Sequence, residues 1–473
     1  MTDMQETQEN ITQLTSDRRK DSKSQQARAD KAALFEDMPI GRAVLTLSIP
    51  TVIGSLVTVI YSMADTYFIG MINDPIQNAG VTLVAPILLA FNAVTNLFGV
   101  GSSSMMGLSM GRYDYEMTKK SSAFGFYGAV VCGLLFSLIC ILLQRPLLML
   151  LGADETTFQA AQEYMFYAVI LGAAPSILNV VTGNLFRAEG YSLHASIGTM
   201  SGCILNMILD PIFILAFHMG AAGAGLATCL SNIAACGYFF VLAFVKRRTT
   251  LVCMNPAKAI PNRQVVRGVF GVGIPAAIQN LLNVTSMTLL TNMTAAFGAS
   301  AVAAMGIAQK IYHVPMMTAL GAAQGTAPLI GYNYSSGNGK RMKEAIYCLL
   351  KYMVPFLCAM AVLSCIFSAP LMELFMKNDE VIAYGSRFLW GFMPGVLFLC
   401  IDFTGVCVYQ AIGQGKISLF FAVARKIILE IPFLLILNRL FPLYGLAFAQ
   451  FAAELILSIA ALFMLRNIIR KAS

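Results

Sequence analysis

"IPTVIGSLVTVIYSMADTYFIG", residues 49 to 70, is a run of twenty-two residues with a single charged side chain, Asp65. At 1.5 Å per residue such a run spans the roughly 30 Å apolar core of a bilayer. Comparable runs recur along almost the whole chain, with cores near 43–69, 80–107, 121–144, 160–186, 194–217, 222–245, 268–296, 300–330, 344–367, 383–411, 416–438 and 443–465. They predict about twelve transmembrane helices. The composition agrees, with 57% hydrophobic and 12% charged residues against about 25% charged in an average soluble chain. Period-two alternation in segments of about ten residues is absent, which argues against a β-barrel.

The basic residues set the expected orientation. One side collects Arg18, Arg19, Lys20, Lys23, Arg28, Lys31, Arg42, Arg112, Lys119, Lys120, Arg187, Lys246, Arg247, Arg248, Lys258, Arg263, Arg267, Lys340, Arg341, Lys343, Lys416, Arg466, Arg470 and Lys471; the other has only Arg145, Lys377 and Arg439. Both termini are therefore expected in the cytoplasm of a multi-pass protein. The net charge of +8 sits in loops and tails rather than in a compact soluble domain, so no nucleic-acid partner is expected. Residues 1–38 carry "TSDRRKDSKSQQARADK" and no apolar signal-peptide core, and read as a disordered cytoplasmic tail. The eleven cysteines form no CxxC pair and the three histidines no ligand cluster, so both read as packing residues.

An internal repeat appears at an offset of about 220 to 225 residues, the length of a duplicated six-helix bundle rather than a solenoid unit. "SIPTVIGSL" (48–56) echoes "GIPAAIQNL" (273–281), "FRAEG" (186–190) echoes "YQAIG" (409–413), and "LDPIF" (209–213) echoes "LEIPF" (429–433). The chain accordingly divides into a tail (1–38), an N-terminal bundle (39–246), a cytoplasmic linker (247–266), a C-terminal bundle (267–468) and a short cytoplasmic tail (469–473). The expected fold is an all-α polytopic membrane protein of two pseudo-symmetric six-helix bundles. Two bundles able to rock around a central cleft are the architecture of a secondary transporter. Pro50 and Pro275 hold equivalent positions inside the first helix of each half, where each is expected to bend it.

The repeat breaks at Asp65, which aligns with Leu290, whereas Asp210 keeps an acidic counterpart in Glu430. Counting along each helix places Asp65, Asp210 and Thr228 at similar depth, roughly 8, 10 and 9 Å below the outer surface. Asn206 precedes Asp210 by four residues, on the same helix face. Acids inside a membrane span are costly and mark ion paths by default, although Asp65 could instead cap a loop and Asp210 simply bond Asn206. Two carboxylates, an amide and a hydroxyl are hard oxygen ligands that suit Na+; the same carboxylates, taken out of water, could bind a proton instead. In the second half Lys426 and Glu430 are spaced to pair, and Lys310 and Asp402 are candidates for the cleft or for structural ion pairs. Some of the 27 methionines and 31 phenylalanines could give the cleft an adaptable apolar wall.

At these residues the chain resembles the multidrug and toxic compound extrusion (MATE) family over roughly residues 38 to 468. The resemblance rests on the opening stretch, on "GRYDYE" and "LFRAEG", and above all on "LNMILDPIFI" with the following "GAGLATCLSN". It implies two six-helix bundles opening alternately to either side of a bacterial plasma (inner) membrane, and export of cationic amphipathic small molecules in exchange for H+ or Na+. No cofactor is implied beyond that ion, and a monomer suffices. The family's first-half cation site maps onto Asp65, Asn206, Asp210 and Thr228, with Asn184 a further fourth-helix candidate. Where some branches carry a seventh-helix glutamate this chain offers neutral Asn283, and Asp402 lies near another branch's tenth-helix acid. A lipid-linked saccharide flippase of the wider superfamily remains the alternative, resting on Lys310, Lys351 and Arg425 as a basic cavity. An intramembrane enzyme finds no support, since neither HExxH nor GxSxG occurs.

Overall fold

A computed structural model describes residues 33–72 and 74–472. Among the described residues eight helices are long and apolar enough to cross a membrane, and ten if each of two bent pairs counts as one span. In chain order the spans begin with α1 (Ile40–Met71), α2 (Pro75–Gly111) and α3 (Tyr115–Leu142). The bundle then continues with α4 (Ala173–Ala188), α5 (Ser192–Pro211) and α6 (Gly220–Val245). The second series is α7 (Arg263–Ala295), α8 (Ala299–Ser335), α9 (Gly339–Ile366), α10 (Gly395–Ala411), α11 (Gly415–Val423) and α12 (Tyr444–Ala472). The bends fall where α4 and α10 follow their preceding helical segments, at 44° and 45°. The two remaining expected spans are also helical. One is α8 and the other is α11, prolonged through a wide turn, Ala424–Glu430, into Ile431–Leu440. Pro50 and Pro275 both lie inside unbroken helices.

Neighbour relations repeat between the halves. α1 packs on α5 as α7 packs on α11, α2 on α4 as α8 on α10, and α5 on α6 as the extended α11 does on α12. Each half has its own apolar core, one around Phe91, Ile177 and Phe239, the other around Tyr312, Phe388 and Phe392. Outward-facing Leu134, Leu142, Ile459 and Phe463 are exposed, which is stable only against lipid.

The halves meet chiefly through α1 against α8 and α2 against α7. The contact needs small residues: a Cβ at Gly101 would run into the carbonyl oxygen of Val269, one at Gly273 into that of Leu97, and one at Gly325 into that of Leu47. All of these lie toward the face where α1 begins. A third apolar cluster seals that face, with Phe35, Leu47 and Met110 beside Leu329, Ile330 and Tyr332.

The segment between the halves is bound to the first one. Glu189 accepts from Leu251 N–H at 2.6 Å and from the Thr250 hydroxyl. Tyr127 donates to the Met254 carbonyl at 2.8 Å, and Lys258 pairs with Glu116 at 2.9 Å.

The expected disordered N-terminal tail differs from the structure at its end. Residues 1–32 of the expected tail lie outside the described residues, but Ala33–Asp37 forms a helical turn with Phe35 fully buried, because its aromatic ring has an apolar seat between the halves. At the other end α12 continues through Ala472, where no proline or glycine stops it.

Candidate functional site

The first-half acids are brought together by α1, α5 and α6. Asp210 is fully buried and Asn206 is 1% exposed. The Asn206 amide satisfies its neighbours in one orientation: its NH2 donates to Asp210 Oδ2 at 2.8 Å and its oxygen accepts from Thr228 N–H at 3.1 Å. The Thr228 hydroxyl donates to the Ala224 carbonyl at 3.0 Å. Asp210 Oδ1 is buried without a hydrogen-bond partner among the described residues. Asp65, half-buried on α1, is near enough to Asp210 for their charges to interact, and Tyr61 and Tyr164 share that neighbourhood.

The local fold explains this. Pro211 follows Asp210 directly, and beyond it the helix widens into the turn Ile212–Ala216, where Phe217 N–H reaches back five residues to Ile212 O at 2.9 Å. A proline cannot supply the regular bond, so the helix relaxes beside its only acid. The polar network then extends past the predicted set: Asn232 donates to the Thr228 carbonyl at 2.8 Å and accepts from Asn179 Nδ2 at 3.0 Å. Tyr61, Asn232 and Asn179 lie outside the set that the sequence singles out. The first two carried a signal, because each sits four residues from a chosen residue, Asp65 and Thr228, on the same helix face. Nothing in sequence spacing points to Tyr164 or Asn179.

Asn184 lies apart from this network. It accepts from Arg187 Nη1 at 2.6 Å and lines a cavity of about 60 Å³ between the halves, with Gln324 and Gln410. The larger cavity, about 360 Å³, belongs mainly to the second half and is lined by Asn283, Met287, Tyr312, Met316, Phe403 and Arg425, among others. Leu89, Asn96 and Val100 of α2 close its other side.

Charges pair at the wall of this cavity. Asn283 accepts from Arg425 Nη2 at 2.6 Å, Arg425 Nη1 stands 3.8 Å from Glu454, and its guanidinium lies 5.2 Å from the Phe403 ring centre. Lys426 meets Glu430 at 2.6 Å, the pairing its spacing predicts, and Ser286 donates to the same glutamate. Asp402 is fully buried within hydrogen-bonding reach of Glu454. Lys310 is exposed and is not among the residues lining this cavity. Among the described residues no three His, Cys, Asp or Glu side chains converge to hold a metal ion.

The MatE family model matches the chain at residues 50–212 and again at 275–436. Among curated proteins, the chain is similar to "Multidrug export protein MepA" of Staphylococcus aureus (strain MRSA252), 31% identical over 90% of this chain and 94% of that one. The protein of the same name from Staphylococcus saprophyticus is 29% identical over the same shares. Among solved structures, one described as an outward-facing conformation of a multidrug resistance MATE family transporter of the MOP superfamily superposes with a TM-score of 0.88. It is 23% identical, over 93% of this chain and 98% of that one. A point mutant of the Vibrio cholerae MATE transporter VcmN gives 0.85 at 22% identity, over 91% and 97%.

Proposed function

From the premise that the chain belongs to the MatE family, we propose that it is a cation-coupled antiporter. It exports organic cations and multiple drugs across a bacterial plasma membrane by alternating access. Residues 39–246 and 267–468 are the two rocking bundles, 247–266 the linker, and the basic face carrying both termini is cytoplasmic. The observation that carries this reading is Asp210, a fully buried carboxyl with one oxygen unpartnered among the described residues, close to a second acid and inside an apolar span. Such a group is retained where a charge must be bound and released.

Asp65, Asn206, Asp210 and Thr228 take the coupling ion, H+ or Na+. Entry of the ion neutralises the two carboxylates and changes which packing of α1, α5 and α6 is lower in energy. Drug and ion then compete through one conformational equilibrium, so each weakens the other's binding by the same factor. The methionine- and aromatic-lined cavity supplies an adaptable apolar surface for varied substrates, and the protein works as a monomer. The pairing of Arg425 with Glu454 and of Lys426 with Glu430, with Lys310 and Lys351 both exposed, weighs against a diphosphate-binding flippase.

The test is efflux of a fluorescent cationic dye from vesicles holding wild type or Asp210→Asn, under an imposed Na+ or pH gradient. Wild type should transport with one gradient, which names the ion, and the variant should lose that dependence. Equal gradient-driven transport by both would end the assignment of Asp210.

A further inference from the structure

The segment before α1 does more than lead into the first helix. Phe35 is shielded from water and lipid alike: its relative exposure is 0%, and its ring stacks on Tyr332 of α8 at 4.9 Å, with the planes 15° apart. The ring also borders Gly190, in the turn between α4 and α5. There φ is +94° and an added Cβ would stand 3.4 Å from Phe35 and 2.8 Å from Leu34. Glycine is needed at that turn both for its backbone conformation and to admit the segment.

Polar contacts tie the same residues to both halves. Glu36 Oε1 accepts from the Tyr113 hydroxyl, in the turn between α2 and α3, at 2.6 Å, and from the Tyr332 hydroxyl at 2.5 Å. The Phe35 carbonyl accepts from Arg341 Nε at 2.6 Å and from Asn333 Nδ2 at 3.2 Å, and the Met38 carbonyl accepts from Arg341 Nη2 at 2.5 Å. Helix capping does not account for these bonds, because α1 starts after Pro39 with no side-chain cap. The partners fall into two groups: Tyr113 and Gly190 belong to the first half, and Tyr332, Asn333 and Arg341 to the second.

We propose that residues 33 to 38 are a latch that holds the two halves together at this face and must release before the face opens. Rocking the halves apart separates Tyr113 and Gly190 from Tyr332. The segment runs on directly into α1 of the first half, so its bonds to Tyr332, Asn333 and Arg341 are the ones that opening must break. Release therefore breaks the Glu36–Tyr332 bond and unstacks Phe35 from the Tyr332 ring. A charged acceptor serving two hydroxyls and a buried ring make the closed face more populated than the small-residue contact of α1 with α8 would by itself. The latch rests on the alternating access proposed above but not on the coupling ion or the transported substrate, so loss of ion dependence in the efflux assay would leave it standing.

Hydrogen–deuterium exchange of the full chain in nanodiscs tests it, comparing wild type with Phe35→Ala and Tyr332→Phe. Phe35→Ala should raise exchange at residues 107–113 and 331–336 by roughly tenfold or more, the factor set by the lower end of what burying one phenylalanine contributes. Tyr332→Phe removes the hydroxyl that donates to Glu36 and keeps the ring that Phe35 stacks on, so it should move the same two regions in the same direction by a smaller factor. In both variants the opposite ends of α1 and α7 should become more protected as that side closes. Faster exchange confined to residues 33–40, or unchanged exchange in both 107–113 and 331–336, would overturn the latch. If Phe35→Ala does not insert, Tyr332→Phe decides alone by the same two readings.

Discussion

Arg425 is the cation beside buried Glu454 and Asp402, and its removal should be costly. Replace it by methionine, which keeps much of the stem. At 3.8 Å from Glu454 the lost attraction is about 4 kcal/mol at an effective dielectric constant of 20. Asn283 also loses a bond to a charged donor, a contribution of about 1.5–3 kcal/mol. These contributions overlap, and the expected total is that of stripping one partner from a buried pair, about 3–5 kcal/mol. Glu454 and Asp402, both fully buried, would be left facing each other without a cation.

For a helical unit of about 200 residues that corresponds to a fall of roughly 6–12 °C in apparent melting temperature, read by fluorescence-detected size exclusion after heating. The partner change reverses it. Glu454→Gln in the Arg425→Met background removes the stranded charge and offers an amide NH2 to Asp402, so the double variant should recover most of the loss. A double-mutant cycle then gives a coupling of the same sign and similar size. If Arg425→Met melts with wild type, or if adding Glu454→Gln lowers the midpoint further, the pairing does not hold the second half together.

Two further outcomes follow from other parts of the molecule. Gly101→Ala gains about 1 kcal/mol of helix propensity yet drives a Cβ into the Val269 carbonyl; the clash should win, loosening the face where α1 begins and raising amide exchange around Val269, whereas a stabilised protein would refute the close contact. Outside the spans, Asp154 is held down to about 2 by hydrogen bonds from Thr156 and Thr157. A depressed carboxyl adds stability above its unfolded pKa and loses it as pH falls through the folded value. The loop 154–157 should therefore keep its exchange protection from pH 7 down through pH 4 and lose it only near pH 2, and Asp154→Ala should remove it at every pH.

The apolar runs, their number and the duplicated halves were legible in the sequence, because a span must satisfy its backbone locally and show lipid an apolar surface, which constrains every twenty residues alike. Asp65, Asn206, Asp210 and Thr228 could be grouped by depth for the same reason: rise per residue converts position into height. Height is not azimuth, however. Only the packing of helices distant in sequence decided that Asn184 lines another cavity with Gln324 and Gln410, that Asn179 joins the Thr228 network through Asn232, and that Asp402 lies beside Glu454. The clearest case is the segment at Phe35. Its polar surroundings in the chain read as disorder, since the sequence does not show which distant residues would meet an aromatic ring there. The seat that orders it is built from Gly190 and Tyr332, in opposite halves, and exists only once the two bundles have come together.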